Sequence, residues 1–319
     1  MPRRPSLTPT KVKRKGVAAP SPLSARRNDD SVDAIRAFLG MTLDTNKYKQ
    51  PAKPSKRRKV VALGDLHGNP HPALLPLIIA EQPDHIEVGG DIYDLACFSA
   101  HPRGWDEEKD EFGQEHKRVT AYFETLLLKT PAQIIIRRGN HDDRFWRRIC
   151  DYFPAAPRSL FNDPLDLLVS SLASKRIATA STDVTAHHPR LSTETLGKVA
   201  YLGQLGDAII SHCNFSGSEP GAAVGKLSKW LDEWHQLLGW PEPTLCIQFH
   251  SHQWSYQFKR GGFLALVEPG MAGMPVIEGY KVGYQAKWKP GTLGAVSFVQ
   301  EKVAEQWVTC LDTVHPLIP

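Results

Sequence analysis

Cysteine is scarce in this 319-residue chain. Its five cysteines, Cys97, Cys150, Cys213, Cys246 and Cys310, are scattered, odd in number and without a CxxC pair. That argues against a disulfide framework and against a thiolate zinc knot; buried free thiols in a reducing compartment are the expectation. Long apolar runs are missing as well, none approaching the roughly 18 residues that a membrane-spanning helix needs. The basic N-terminus lacks the apolar stretch of a secretory signal. A cytoplasmic protein with no membrane segment is therefore expected. No internal repeat is visible.

What is present is ordinary for a globular protein in bulk and uneven in distribution. Hydrophobic residues make up 41% and charged residues 23%, enough to supply a sizeable core. Of the 39 Lys and Arg and the 34 Asp and Glu, 16 and 4 fall in residues 1–59, which therefore carry +12; the rest, with 23 and 30, carries −7. Residues 1–58 read as a basic, largely disordered arm rich in Pro, Ser, Lys and Arg, with clusters at Lys11 to Lys15 and Lys56 to Lys59. One short helix from Ser31 to Leu39 is expected within it, capped by Ser31 and ended by Gly40. Residues 59–319 read as one folded domain. The arm is a solvated tail, a localisation signal, a dock for an acidic partner or a nucleic-acid contact acting through counterion release.

From Val60 the pattern changes to short apolar strands alternating with helices. Val60 to Leu63, Ile86 to Val88 and Ile134 to Ile136 read as strands, with helices over Pro72 to Ala80 and Lys117 to Leu128 between them. That alternation predicts parallel strands with crossover helices. Further strands are expected at 208–210, 245–247, 263–267 and 295–299. Gly221 to Leu238 reads as an amphipathic helix with Leu227, Trp230, Leu231 and Trp234 on one side.

Every conspicuous polar cluster stands just after one of these strands: Asp65-x-His67, Asp91, Asn140-His141, His212 and His250-x-His252. In an open α/β sheet the crevice beyond the carboxyl ends of the strands is where ligands bind. Imidazole and carboxylate without thiolate suit manganese, iron, zinc, cobalt or nickel. A carboxylate such as Asp91 can bridge two cations about 3.5–4 Å apart, the spacing of two-metal hydrolysis.

The series Gly64-Asp65-Leu66-His67-Gly68, Gly90-Asp91, Gly139-Asn140-His141-Asp142, His212 and His250-Ser251-His252 resembles the ordered motifs of the calcineurin-like metallophosphoesterases. The resemblance runs from about Val60 to Gly270 and includes Glu268-Pro269-Gly270, similar to that family's Asn-Pro-Gly turn. It implies a four-layer α-β-β-α sandwich of two mixed sheets flanked by helices. It further implies that Asp65, His67 and His252 bind one metal, that Asn140, His212 and His250 bind a second, and that Asp91 bridges. His141 would face the scissile phosphate and Asp142 would orient its imidazole. Two divalent ions, manganese first among them, would supply a metal-bridging hydroxide for phosphoester hydrolysis.

Three departures stand out. Phe249 occupies the position where the family has Gly before its His-x-His, which could narrow the pocket. Cys213 follows His212 where Gly is common, and reads as packing. The second motif, Gly-Gly-Asp-Ile-Tyr-Asp, lacks the phosphate-clamping Arg of the protein Ser/Thr phosphatases. That absence and the basic arm favour a phosphodiester, with nucleic acid a candidate, over a phosphomonoester or phosphoprotein. A metal-holding interaction scaffold without catalysis is the alternative from another class. Arg138, Arg144 and Tyr93 are candidate substrate contacts. Arg147, Arg148, His187 and His188 read as surface, His101 and Arg103 as a clamp or a solvated loop, and Trp230, Trp234 and Trp240 as core.

Overall fold

A computed structural model describes residues 56–98, 112–152, 161–180, 201–213, 215, 220–236, 239–259, 264–273 and 292–319. Residues 1–55, and with them the expected Ser31–Leu39 helix and most of the basic arm, lie outside the described residues. So do His101, Arg103, Phe263, His187 and His188.

The first sheet has six strands in the order β11-β10-β1-β2-β3-β4. Its members are β1 (Arg57–Leu63), β2 (His85–Val88), β3 (Gln133–Ile136), β4 (Ile177–Thr179), β10 (Ala295–Val303) and β11 (Gln306–Leu317). Strands β1 to β4 are parallel, as the alternation with helices predicts; β10 and β11 add antiparallel. The second sheet has the order β5-β6-β7-β9-β8. It contains β5 (Leu202–Leu205), β6 (Ala208–Ser211), β7 (Leu245–Gln248), β8 (Trp254–Lys259) and β9 (Leu264–Pro269). Strands β6, β7 and β9 are parallel, with an antiparallel strand at each edge.

Successive side chains of a strand point to opposite faces, and the buried residues divide accordingly. From β1, Val61 and Leu63 join a core with helices α1 (Leu74–Glu81), α2 (Phe112–Lys129) and α4 (Pro164–Leu172). Val60 and Ala62 point the other way, into a layer shared with Ala208 and Ile210 of β6 and Ile247 of β7. Beyond the second sheet, Ile209, Cys246 and Leu266 pack on Val224, Leu227 and Leu231 of helix α5 (Ala222–Trp234). Three cores between four layers make the expected α-β-β-α sandwich of two mixed sheets. Trp230 and Trp240 pack against the α5 core, as expected. Among the described residues, no helix is long and apolar enough to cross a membrane.

Elements without an expectation from the sequence are the edge strands β4, β5, β8 and β11 and two helices, α3 (Arg144–Tyr152) and α4. The edge strands are partly exposed and mix polar with apolar residues, so no continuous apolar run marks them. Helix α4 carries a legible start: Asp163 accepts the amide hydrogen of Leu165, and Pro164 opens the first turn.

Strand β1 opens at Arg57, inside the span expected to belong to the arm. Arg58 donates to Gln300 through Nε and Nη2 and lies over the Trp307 ring, while the Lys59 ammonium stands 3.2 Å from Glu81. The Lys56 to Lys59 cluster is therefore part of the sheet, and a deletion that isolates the arm stops at residue 55. If the arm contacts nucleic acid, removing residues 1–55 should abolish binding to a fluorescent DNA or RNA oligonucleotide together with its steep salt dependence. Unchanged affinity and salt slope would refute that role.

Candidate metal centre

Loops leave the carboxyl ends of β1, β2, β3, β6 and β7 and converge. Those after β1 and β2 run side by side, with the amide hydrogens of Asp65, His67 and Gly68 donated to the carbonyls of Gly90, Asp91 and Ile92 at 2.8–3.0 Å. The loop after β3 presses against Asp91. A Cβ on Gly139 would stand 2.2 Å from Asp91 Oδ1, so only glycine permits the approach.

The two predicted aspartates are held alike. Asp65 Oδ2 accepts the backbone N–H of His250 at 3.0 Å, and Asp91 Oδ1 accepts that of His141 at 2.7 Å. The remaining oxygens, Asp65 Oδ1 and Asp91 Oδ2, are buried and have no hydrogen-bond partner among the described residues. Around Asp65 Oδ1 stand Nε2 of His252 at 3.2 Å, of His212 at 3.7 Å and of His67 at 3.8 Å. His212 Nε2 lies 3.0 Å from Asp91 Oδ2 without hydrogen-bonding geometry, and both atoms remain unsatisfied. Asn140 Oδ1 is likewise buried without a partner.

Three groups of candidate ligands result among the described residues: Asp65, His67 and His252; Asp91, His212 and His250; and His67, Asp94 and His141. Their makeup fits a divalent metal ion. An ion bonded to imidazole nitrogen and carboxylate oxygen at about 2.0–2.2 Å sets those atoms about 3.0–3.5 Å apart. The closest observed pairs are 3.0 and 3.2 Å, and His67 Nε2 faces His252 Nε2 at 3.1 Å. His212 donates from Nδ1 to the Gly89 carbonyl at 2.9 Å, which turns the lone pair of Nε2 toward the aspartates. Five of these residues, Asp65, His67, Asp91, His250 and His252, have left-handed backbone with φ of 54°, 49°, 50°, 76° and 55°. Such strain in non-glycine residues gathers where a site over-determines the backbone.

Burial works against the charge of both carboxyls, yet the surrounding imidazoles keep them ionised. Asp65 is held at about 2, chiefly by His252 and His212, and Asp91 well below the usual range by His212 and His141. Burial, with help from neighbouring imidazoles, lowers His67 to about 3 and His250 to about 4, so both imidazoles are neutral near pH 7.

His141 stands beside the first group, its ring centroid 4.6 Å from that of His67 and its Nε2 3.9 Å from Asp91 Oδ2. The residue that orients it is Asp94, not Asp142. His141 Nδ1 donates to Asp94 Oδ1 at 2.8 Å, and Arg144 Nη2 donates to His141 Nε2 at 2.9 Å. Arg144 is fixed in turn by Nη1, which donates to the carbonyl and carboxylate of Asp94, both at 2.7 Å. Asp142 is buried behind the loops and accepts the amide hydrogens of Tyr93 and Gly139. Burial and then Asp91 raise its pKa to about 8. Asp94 is the third residue after Asp91 in the second motif, and that spacing was the signal available in the sequence.

Two candidate substrate contacts belong to the framework instead. Arg138 pairs with Asp163, the capping residue of α4, and lies 3.6 Å from Asp143. Tyr93 is fully buried and bonds His116 Nδ1 at 2.8 Å. Phe249, where the family has Gly, is buried. Its ring lies beneath the loops, where a Cβ on Gly89 would meet it at 2.1 Å and one on Gly64 at 2.7 Å. Gly89, the first glycine of the second motif, makes room for that ring, while Gly90 makes room for Gly139. Cys213 is buried in the α5 core, as expected of packing.

The architecture is the α-β-β-α sandwich that the resemblance to the calcineurin-like metallophosphoesterases implies. No protein-family model matches the chain, and no curated protein matches it. Solved structures align along most of its length. Wild-type Vps29 complexed with zinc, from Entamoeba histolytica, is 9% identical, with 81% of this chain and 99% of that one covered and a TM-score of 0.32. A predicted phosphoesterase from Streptococcus pneumoniae is 13% identical over 83% of this chain and 98% of its own, with a TM-score of 0.26. A metallophosphoesterase from Sphaerobacter thermophilus is 14% identical over 81% and 87%, with a TM-score of 0.30. The chemistry of the centre rests on its side chains, not on these alignments.

Metal binding should release protons. Burial opposes the charge of His212, but Asp91 and Asp65 hold its pKa up at about 9; Asp65 raises His252 in the same direction. Below about pH 9 a metal ion must displace the His212 proton, so affinity rises with pH up to that point and falls about tenfold per unit below it for each proton displaced. Calorimetric Mn2+ titration at pH 7 in buffers of different ionisation enthalpy should therefore report release of about one to two protons. No proton release would contradict this account.

Proposed function

We propose that this chain hydrolyses a phosphoester with two divalent metal ions, manganese first among the candidates. The observation that carries the proposal is the pair of buried, unpartnered oxygens, Asp65 Oδ1 and Asp91 Oδ2, each ringed by imidazole nitrogens. Leaving such groups unsatisfied costs about 1–3 kcal/mol each, and more when charged. Asp65, His67 and His252 would hold one ion, Asn140, His212 and His250 would hold the other, and Asp91 would serve both. When bound, the ions acidify water and polarise phosphoryl oxygens.

The chain's own residues supply the remainder. His141 faces the phosphoryl group through Nε2, which accepts from Arg144; once Arg144 turns to the phosphate and Nε2 carries a proton, it can stabilise charge or pass that proton to the leaving oxygen. Asp94 fixes the opposite edge of the ring. Arg144 brings Nη2 to the same point and is the candidate ligand of a phosphoryl oxygen. Its charge is balanced by Asp94, so the Arg144–Asp94 pair brings no net positive charge to the phosphate. That balance favours a diester, with one negative charge, over a monoester, with two. The positive charge of residues 1–55 makes nucleic acid a candidate diester.

With Mn2+, kcat/KM for bis-p-nitrophenyl phosphate should exceed that for p-nitrophenyl phosphate by at least about tenfold, a difference of 1.4 kcal/mol. Turnover of the monoester alone would refute the diester assignment. No turnover of either by metal-loaded protein would leave a scaffold that holds metal without catalysis.

Two substitutions separate ligand from catalyst. Asp91→Asn should abolish turnover and lower the metal content found by elemental analysis. His141→Ala should cut turnover by about 10²–10⁴-fold with the metal retained. Equal loss of metal in both would show that His141 is a ligand.

A further inference from the structure

The turn His250-Ser251-His252 feeds two of the ligand groups, since His250 stands with Asp91 and His212 while His252 stands with Asp65 and His67. Both histidines have left-handed backbone, so the turn needs support from outside itself. That support reaches it through Ser251. The Ser251 hydroxyl donates to Glu268 Oε2 at 3.2 Å and faces the amide hydrogen of Gln253 at 3.5 Å.

Glu268 lies in β9, in the turn where the family resemblance leads one to expect Asn, and its side chain is buried. Its carboxylate is bound from the other side by the start of helix α5. Oε2 also accepts the amide hydrogen of Gly221 at 3.0 Å, and Oε1 accepts that of Val224 at 2.9 Å. Gly221 is the residue that begins the helix, and it has no side chain with which to cap it. Glu268 thus satisfies two amides that a helix leaves open at its N-terminus, where its negative charge also opposes the helix dipole favourably. Helix α5 is fixed by the core through Val224, Leu227 and Leu231. A continuous connection runs from that core through the α5 amides, Glu268 and Ser251 to both histidines.

We propose that Glu268 is a positioning residue of the metal centre, which through Ser251 holds His250 and His252 in the geometry that lets one turn serve two ions. The proposal rests on the reading of those histidines as metal ligands. A carboxylate serves here because both of its oxygens only accept. In Glu268→Gln, an amide group would face a backbone N–H at one of the two positions, donor against donor.

The test is calorimetric titration of the full, metal-stripped chain with Mn2+, paired with thermal unfolding of the metal-free protein. Glu268→Gln and Ser251→Ala should each weaken Mn2+ binding by about 10–100-fold, the effect typical of residues that orient metal ligands. Ser251→Ala leaves the α5 amides bonded, so its unfolding midpoint should match that of the unmodified chain. Leu126→Ala, which removes packing from the core on the far side of the first sheet and lies outside this connection, should lower the midpoint and leave Mn2+ affinity unchanged. Unaltered affinity in Ser251→Ala overturns the proposal even if Glu268→Gln fails to fold. Equal loss of affinity in Leu126→Ala also overturns it, because affinity would then follow stability. If the unmodified chain binds no Mn2+, the metal reading itself falls and this proposal with it.

Discussion

The organisation of the centre depends on a division of labour within two carboxylates. Asp65 and Asp91 each give one oxygen to the backbone of a distant loop and present the other to imidazoles. The first oxygen does structural work. Through Asp65 it ties the loop after β1 to the loop after β7, and through Asp91 it ties the loop after β2 to the loop after β3. The second oxygen is then aimed without freedom to turn away. A carboxylate bonded through both oxygens would be a structural group, and one bonded through neither would rotate toward solvent.

Five residues in left-handed conformation are the cost of this arrangement, about 1–2 kcal/mol for each non-glycine residue. They persist because the loops are bonded along their length, Asp65 to Gly90, His67 to Asp91 and Gly68 to Ile92. Beneath them Phe249 fills the space over Gly64 and Gly89, and two apolar layers fix the strands from which the loops spring. Rigidity of the strand ends is what allows strain to be stored in the loops without loss of the fold.

Residues beside the centre acquire roles through their partners. Asp94 and Asp142 both follow a motif aspartate or histidine closely, and either could have oriented His141. The backbone sends Asp142 inward, to the amides of Tyr93 and Gly139, and leaves Asp94 on the imidazole. Arg138 and Arg144 are equally close to His141 in sequence. Arg138 is committed to the cap of α4 through Asp163, whereas Arg144 remains against Asp94 and His141. Tyr93, next in the chain but one to Asp91, packs downward onto His116.

Whereas the four layers followed only from the family resemblance, the sequence by itself determined the parallel strands and the set of residues at the strand ends, because apolar runs and the polar clusters that close them are local patterns. The same applies to α5 and its apolar face. It did not determine the edge strands β8 and β11, whose stability comes from pairing with a neighbour and not from their own composition. Nor did it determine that Phe249 turns beneath the loops, that Arg58 belongs to a strand, or that Glu268 joins a helix end to a histidine turn. Those facts concern which of several chemically equal partners comes within 3 Å. Only the tertiary structure decides that, because a hydrogen bond depends on position and direction, which residue identity alone does not fix.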